Sequence, residues 1–414
     1  MAANQIITSD LVTKATALGY KNSLKFAPRL TMKYNSEFKN KTYTPGDTVK
    51  VRMPVRLTVR EGQAYQPQGI FETFVPVSLT KQYGVDFEWS TAQETTDIAE
   101  ARSRYFDPAA DALANKIDVY AFQTTFLDVY NITGTPGTVP TTTAPYLDGV
   151  VNLKNQSVPK AKLQAVLNPQ SMATLSRASN TLFNPPADVS AMYKEGMQAA
   201  NTLGIAEWWE DQNVQGYTTG SFTASTPLVN GANQTGSSLI TDGWASGATQ
   251  LRKGDTFTIG GVFTANPQSY SNTGALQNFV VVSDIADTSG DMTITISPSI
   301  ITSGSLQTVS NSPANNAVIT VRGATSATAG TLSATFAPQN MIFHPEFATV
   351  VHADLAAPAG GAKWSRMSSD QWNIALRSAE FWDGQTDQNC TRIDVLVGAK
   401  TLQARAANRV ASGS

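Results

Sequence analysis

From Val49 to Arg60 the chain alternates without a break. Val49, Val51, Met53, Val55, Leu57 and Val59 point one way, and Lys50, Arg52, Pro54, Arg56, Thr58 and Arg60 point the other. A period of two with β-branched residues predicts a half-buried strand. Pro54 cannot donate to a ladder, so the strand belongs at an edge or a bulge. "EGQAYQPQG" then reads as a turn region, and "IFETFVPVSL" as a returning strand with its own edge-type proline, Pro76. The expectation is a long antiparallel ribbon over 47–80. Arg52, Arg56 and Arg60 form a cationic comb on one face, with Glu61 next to the last of them. A two-stranded ribbon alone is marginal in water. It must lie on something, and a neighbouring copy of the chain is one candidate.

At 414 residues the chain exceeds one average core, so two or three compact units are expected. An apolar fraction of 41% and a net charge of −2 are those of a folded protein and argue against a dedicated nucleic-acid binder. The single cysteine, Cys390, excludes an intrachain disulfide framework and fits folding in a reducing cytoplasm. The opening "MAANQIITSDLVTKATALGY" lacks the apolar stretch of a signal peptide. No run of about 18 apolar residues occurs, so no membrane partner is expected.

Residues 1–60 carry eleven Lys/Arg and three Asp/Glu, a basic arm on a nearly neutral chain. It reads either as a solvated terminus or as an arm that docks on an acidic partner or a neighbouring subunit. After the ribbon, Ser90 to Gln93 resembles a capping box. Asp107-Pro108 restarts the helical pattern, and Leu113, Ile117, Tyr120, Thr124 and Leu127 recur at three- and four-residue steps. One helix over roughly 90–130, kinked near Pro108, is predicted. "NITGTPGTVPTTTAP" follows as a loop. Residues 155–215 mix loops with short helices, one opening at Asn168-Pro169 and one within "NTLFNPPADVSAMYKEGMQAA".

The texture changes at Val214. From there to Asn340 only eight residues are Asp, Glu, Lys or Arg. Ser, Thr, Gly and Asn dominate, punctuated by "DTFTIGGVF", "NFVVVSDI", "MTITISPSI" and "AVITVRG". Short strands with frequent turn signals predict an inserted β-barrel or sandwich. From Met341 a mixed texture returns, with "PEFATVVHADL" read as a helix and "QWNIALRSAEFWDG" and "CTRIDVLVGAK" as strands. The phrase Gly-Asp-Thr occurs at 46–48 and again at 254–256, each time where a loop enters a strand. The flanks differ, so no duplication is inferred.

Catalytic chemistry finds little to build on. "RKGDTFTIGG" lacks the Lys-Ser/Thr of a phosphate loop and leads into a strand. The only histidines, His344 and His352, are too far apart for an i, i+4 metal pair. Glu207, Glu210 and Asp211 beside Trp208 and Trp209 come nearest to a paired-carboxylate hydrolase. A packed indole pair with solvated acids accounts for them better. The arginine comb lacks the interleaved aromatics of a nucleic-acid module. No catalytic residue, cofactor or metal is expected.

The order of parts carries the strongest signal. "GDTVKVRMPVRLTVREGQAYQPQGIFE", "YFDPAADALANKID", "EWWEDQNVQGYTTG", "LRKGDTFTIGGVFTANPQS", "LQNFVVVSD", "FHPEFATVVHADL" and "TRIDVLVGAKTLQ" follow one another across nearly the whole chain. Together they resemble the major capsid protein of tailed bacteriophages, more narrowly the coat proteins of short-tailed phages that carry an inserted β-barrel domain.

The resemblance implies an α+β fold. Residues 1–46 would be an N-terminal arm and 47–80 an extended hairpin loop overlapping a neighbouring subunit. Residues 81–213 would be a peripheral domain with its spine helix and part of an axial domain, 214–340 the inserted barrel, and 341–414 the axial domain and C-terminal strands. It implies self-assembly through pentamers and hexamers into an icosahedral shell around double-stranded DNA, held without sequence specificity. A scaffolding protein and a portal protein would assist in the host cytoplasm, and the product would be a virion. No Lys/Asn/Glu set for an isopeptide bond is matched. "SSLITDGWASGATQ" at 237–250 would form a loop across a two-fold axis, with Asp242 pairing a basic residue. The alternatives are another β-rich virion protein, of tail or decoration type, and a carbohydrate-active enzyme with a β binding module.

Overall fold

The structure, a computed structural model, describes residues 24–34, 48–57, 59–65, 67–69, 72–90, 107–179, 196–247, 250–287, 289–326, 329–358, 363–367, 375–386 and 388–413. The chain divides into two compact units. The first holds residues up to Arg52, Phe74–Thr124 and Ala348–Lys400, and the second holds Met53–Thr73, Thr125–Phe347 and Thr401–Ser414.

In the first unit, Gln388–Thr401 is the central strand of a five-stranded sheet. It pairs with Lys81–Ser90, Leu376–Asp383 and Ala348–Ala353, and Lys363–Met367 adds to Leu376–Asp383. Alternate residues Ile393, Val395 and Val397 are buried, as are Leu376 and Ser378. A helix, Asp107–Thr125, buries Ala110, Leu113, Ala114, Ile117, Ala121 and Phe122, the stripe expected of period 3.6. Pro108 lies in its first turn, where the missing N–H costs nothing. On the same stripe sits the buried Asp118. Its carboxylate accepts the backbone N–H groups of Lys25 at 2.6 Å, Phe26 at 3.3 Å and Ala27 at 2.8 Å. An anion that takes three N–H groups repays part of its desolvation and moors a segment 91 to 93 residues away in sequence.

The expected helix over 90–130 is therefore shorter where it is described. Ser90 ends the strand Lys81–Ser90, 91–106 lies outside the described residues, and the α-helix stops at Thr125. "PEFATVVHADL" is not a helix either. A single 3₁₀ turn at Pro345–Phe347 leads into the strand Ala348–Ala353. Its Val350 and Val351 are β-branched and both buried, which suits a strand covered on two faces.

In the second unit, Phe336–Phe343 centres a sheet ordered Ile132–Gly134, Ala407–Ala411, Phe336–Phe343, Gln164–Leu167, Glu207–Glu210. The helices Ala144–Asn155 and Pro169–Ser179 are tied to it. A Cβ on Gly149 would stand 2.7 Å from the Asn408 side chain, so the first helix approaches closely only because that residue is glycine. Asn168 caps the second, its Oδ1 accepting the Ser171 N–H at 3.0 Å.

The low-charge segment forms a six-stranded sheet ordered Ile319–Val321, Thr256–Ala265, Asn272–Val281, Met292–Ile300, Gly236–Asp242, Leu228–Val229. The two outer strands meet: Ile319 N–H donates to Pro227 O at 2.9 Å and Val229 N–H to Ala317 O at 3.0 Å. The sheet is a nearly closed barrel filled by Phe257, Ile259, Phe279, Val281, Ile294, Ile296 and their neighbours. Segment 237–250 is thus not simply a loop, since Gly236–Asp242 is an inner strand of this sheet.

The barrel is tied to the rest of its unit at the second Gly-Asp-Thr. Gly254 has φ +99°, and Thr256 opens the strand. Buried Asp255 accepts the N–H groups of Arg252 at 2.8 Å and Gly220 at 3.0 Å and the Tyr217 hydroxyl at 3.2 Å. Burial pushes its carboxyl up, against those hydrogen bonds and the charge of Arg409.

Candidate subunit interface

The ribbon is real but short. Thr48–Arg52 pairs with Phe74–Ser78 in register from Thr48 opposite Ser78 to Arg52 opposite Phe74. One further backbone bond, Met53 N–H to Thr73 O at 3.0 Å, closes the loop. The regular ladder ends before Pro54, where the missing donor predicts it must. Val49 and Val51 are buried at the base. Beyond it the same apolar series faces solvent: Val55 is 40% exposed, Leu57 56% and Val59 96%. Three consecutive apolar positions on one edge, progressively bared, form a surface that the subunit itself leaves uncovered.

The comb of Arg52, Arg56 and Arg60 is not a uniform row. Arg52 is exposed at the end of its strand. Arg60 is exposed, and its guanidinium donates to Gly62 O within its own turn. Arg56 is half-buried, with Tyr130 and Arg405 within reach of its charge. Burial holds Arg405 below the usual arginine range, and the positive charge of Arg56 adds to that. Arg405 spends its own donors on Gln403 Oε1, at 3.0 and 3.2 Å, and on Gln156 O at 3.1 Å. The loop also touches its own unit at Tyr270, whose hydroxyl donates to Leu57 O at 3.4 Å. Glu61 is exposed.

Asp242 ends the strand Gly236–Asp242 opposite Leu228 and is half-buried. Its Oδ1 is shielded from solvent and accepts no hydrogen bond among the described residues. A shielded carboxylate oxygen without a donor is costly in an isolated subunit.

The residues weighed for catalysis disperse. Glu207 and Glu210 are exposed, Asp211 is buried and caps its own turn through Asn213 N–H at 2.8 Å, and Trp209 Nε1–H donates to Glu207 at 3.1 Å. Trp208 is buried edge-on against Tyr146, with ring centroids 6.1 Å apart. His352 is fully buried, and burial depresses its pKa to about 4. His344 Nδ1 accepts Glu346 N–H at 3.4 Å. No group of three or more metal-ligating side chains occurs among the described residues. No described helix is long and apolar enough to cross a membrane.

Sequence reasoning missed the strand Lys81–Ser90, which presents a second exposed surface in the first unit. Glu88, Cys390 and Phe381 lie side by side across three strands, as do Asp86, Arg392 and Ala379. Asp86, Phe87, Glu88, Phe381, Cys390, Thr391 and Arg392 line a recess of about 320 Å³. The signal was present in the alternation of Tyr83, Val85 and Phe87 with Gln82, Asp86 and Glu88.

A family model described as "P22 coat protein - gene protein 5" matches residues 1–408. No curated protein matches the chain. Among solved structures, a chain from Mycobacterium phage Che8 is 14% identical over 94% of this chain and 90% of its own, with TM-score 0.45. One from the capsid of cyanophage P-SCSP1u is 10% identical over 90% and 85%, with TM-score 0.42. The CUS-3 coat protein I-domain is 26% identical over 24% of this chain and 97% of its own, with TM-score 0.19. At such TM-scores the backbones agree loosely, and the family match is the finding that places the chain.

Proposed function

The chain belongs to the P22 coat protein family and is a major capsid protein of a tailed phage, and from that premise we propose how its parts act in a shell. The single observation that carries this reading is the family match running from residue 1 to 408. The subunits self-assemble into an icosahedral shell, through pentamers and hexamers, around double-stranded DNA held without sequence specificity. Assembly takes place in the host cytoplasm with a scaffolding protein and a portal protein.

Residues 1–46 act as an arm, 47–80 as the loop that overlaps a neighbour, and 81–213 as the peripheral domain with part of the axial domain. Residues 214–340 act as the inserted barrel and 341–414 as the axial domain. The bared series Val55, Leu57, Val59 supports the role of the loop. Arg52, Arg56, Arg60 and Glu61 meet the neighbouring subunit. Asp242 receives a basic side chain from a second copy across a two-fold axis, a role that its undonated oxygen supports. The strength of the shell comes from many weak contacts repeated, and no active site is required.

Electron microscopy of the purified chain, alone and with its scaffolding protein, tests the reading. Closed particles of uniform size are expected. Tubes, or monomers that never associate under either condition, would overturn it.

A further inference from the structure

We propose that residues 55–60 of one copy add as an extra strand to the open edge of Lys81–Ser90 in a neighbouring copy. The inference rests on the reading of the chain as a shell-forming subunit and names the surface that receives the loop.

The receiving edge comes first. Lys81–Ser90 is ten residues long and pairs along its whole length with Gln388–Thr401, from Gln388 opposite Ser90 to Val397 opposite Lys81. Among the described residues no strand pairs with its other side. A long unpaired edge presents a row of main-chain donors and acceptors, the template on which another chain adds.

The donor segment is the stretch beyond Pro54. Its described residues belong to no ladder; Leu57 O accepts the Tyr270 hydroxyl at 3.4 Å, and Gly62 O accepts the Arg60 guanidinium. Residues 55–60, Val-Arg-Leu-Thr-Val-Arg, contain no proline, so every residue has an N–H to give. They are rich in β-branched side chains.

The two patterns fit each other face by face. On the edge strand, Asp86 and Glu88 lie on the face shared with Arg392, Cys390 and Phe381. Tyr83, Val85 and Phe87 lie on the other, over Val395, Ile393 and Thr391. On the loop, Arg56 and Arg60 alternate with Val55, Leu57 and Val59. Because the side-chain period is two, any register that sets the arginines on the acidic face also sets the valines and leucine on the apolar face, and a shift by two residues preserves the match. Opposite charges and apolar pairs then both stand across the new ladder. Glu88 makes no ion pair among the described residues, and Asp86 makes only an exposed one, at 3.7 Å, with Arg392. Both acids are placed to receive a cation from outside. The occupant is a second copy of this chain because the chain itself carries the complementary segment, with Val55, Leu57 and Val59 bared and its described residues in no ladder.

The test is a charge-swap cycle in full-length protein, with initial assembly rates read by light scattering and particles checked by microscopy. Arg56→Glu with Arg60→Glu, and separately Glu88→Arg, are each expected to slow assembly by about tenfold. Arg60 and Glu88 are exposed and Arg56 is half-buried, so circular dichroism verifies that each variant folds. Combining the two sets is expected to assemble at least tenfold faster than the product of the separate losses predicts. Losses that simply multiply would overturn the proposal, as would no loss in either set. Hydrogen exchange of the wild type gives a second reading free of mutation. Peptides covering 55–60 and 81–90 are expected to gain protection together on assembly, and either one staying unprotected within closed shells would overturn strand addition. Failure of the wild type to form shells would instead remove the premise, so the two failures are told apart.

Discussion

Arg409 donates from its guanidinium to the carbonyl oxygen of Gly254 at 2.8 Å, joining the last strand of the second unit to the turn that opens the barrel strand Thr256–Ala265. Arg409 is completely buried, and its charge sits 5.7 Å from the centre of the Tyr217 ring and near Asp255. Burial lowers its proton affinity, while Tyr217 and Asp255 act to raise it. Arg409 is thus one of several polar ties between the barrel and its base, beside Arg322, which donates to Ile132 O at 2.8 Å, and the Lys253–Asp128 ion pair at 3.3 Å. The ionic group around Arg409 is costly to break from one side, because the remaining charge stays buried. Arg409→Ala is expected to cost about 3–5 kcal/mol in unfolding free energy, read from urea denaturation. Arg409→Met with Asp255→Asn is expected to cost less than the sum of the two separate changes.

His352 makes stability depend on pH. Its folded pKa of about 4 lies below the ordinary 6.5, so the folded chain resists a proton that the unfolded chain accepts. Above neutrality both states are neutral and the group contributes nothing. As pH falls from 6.5 to about 4, stability is lost, by on the order of 3 kcal/mol at the lower end. His352→Phe is expected to flatten this part of the pH profile, measured as the urea midpoint at a series of pH values.

Asp118 moors the segment around Ala27. Asp118→Asn removes the charge and turns one acceptor into a donor facing backbone N–H groups. Trypsin is then expected to cut after Lys25 or Arg29 at least about tenfold faster in the folded protein, as one or two lost charge-assisted bonds imply. An unchanged cleavage rate would show that the segment is held by other contacts.

Gly398 lies where the base of the loop presses on the central strand. A Cβ there would come within 2.2 Å of Ser78 O. The obstacle is backbone and cannot swing away. Gly398→Ala is expected to lower stability by roughly 1–3 kcal/mol and to disturb the pairing of Thr48–Arg52 with Phe74–Ser78, visible as faster amide exchange of Val49 and Val51.

Much of this architecture was readable residue by residue. The barrel strands announced themselves because one face of each is buried and the other is not, as in "MTITISPSI", where Met292, Ile294 and Ile296 are inside and Thr293 and Thr295 outside. The helix from Asp107 was marked by its start signal and its stripe. Ala348–Ala353 misled for the opposite reason: from Ala348 to His352 every residue is buried, so no alternation exists to be seen. Lys81–Ser90 was passed over although it alternates, since Gly84 interrupts the run. Ala144–Asn155 was missed because Pro145 and Gly149 look like loop residues, and Gly149 is there for the close approach of Asn408. Of the candidate interface residues, the arginines and the bared valines could be listed from the sequence. That Arg56 would lie near Arg405 could not, because nothing local records which distant segment a loop comes to rest upon. Arg409 was invisible for the same reason, its partners lying at 217, 254 and 255.

The meeting of Ile319 with Pro227 and of Val229 with Ala317 has a consequence for growth. A sheet with loose margins can recruit copies indefinitely and run out into fibrils. Joined margin to margin, the two outer strands of this sheet have their edges occupied by each other, so a solution of these subunits at high concentration loses one route to tangled aggregate.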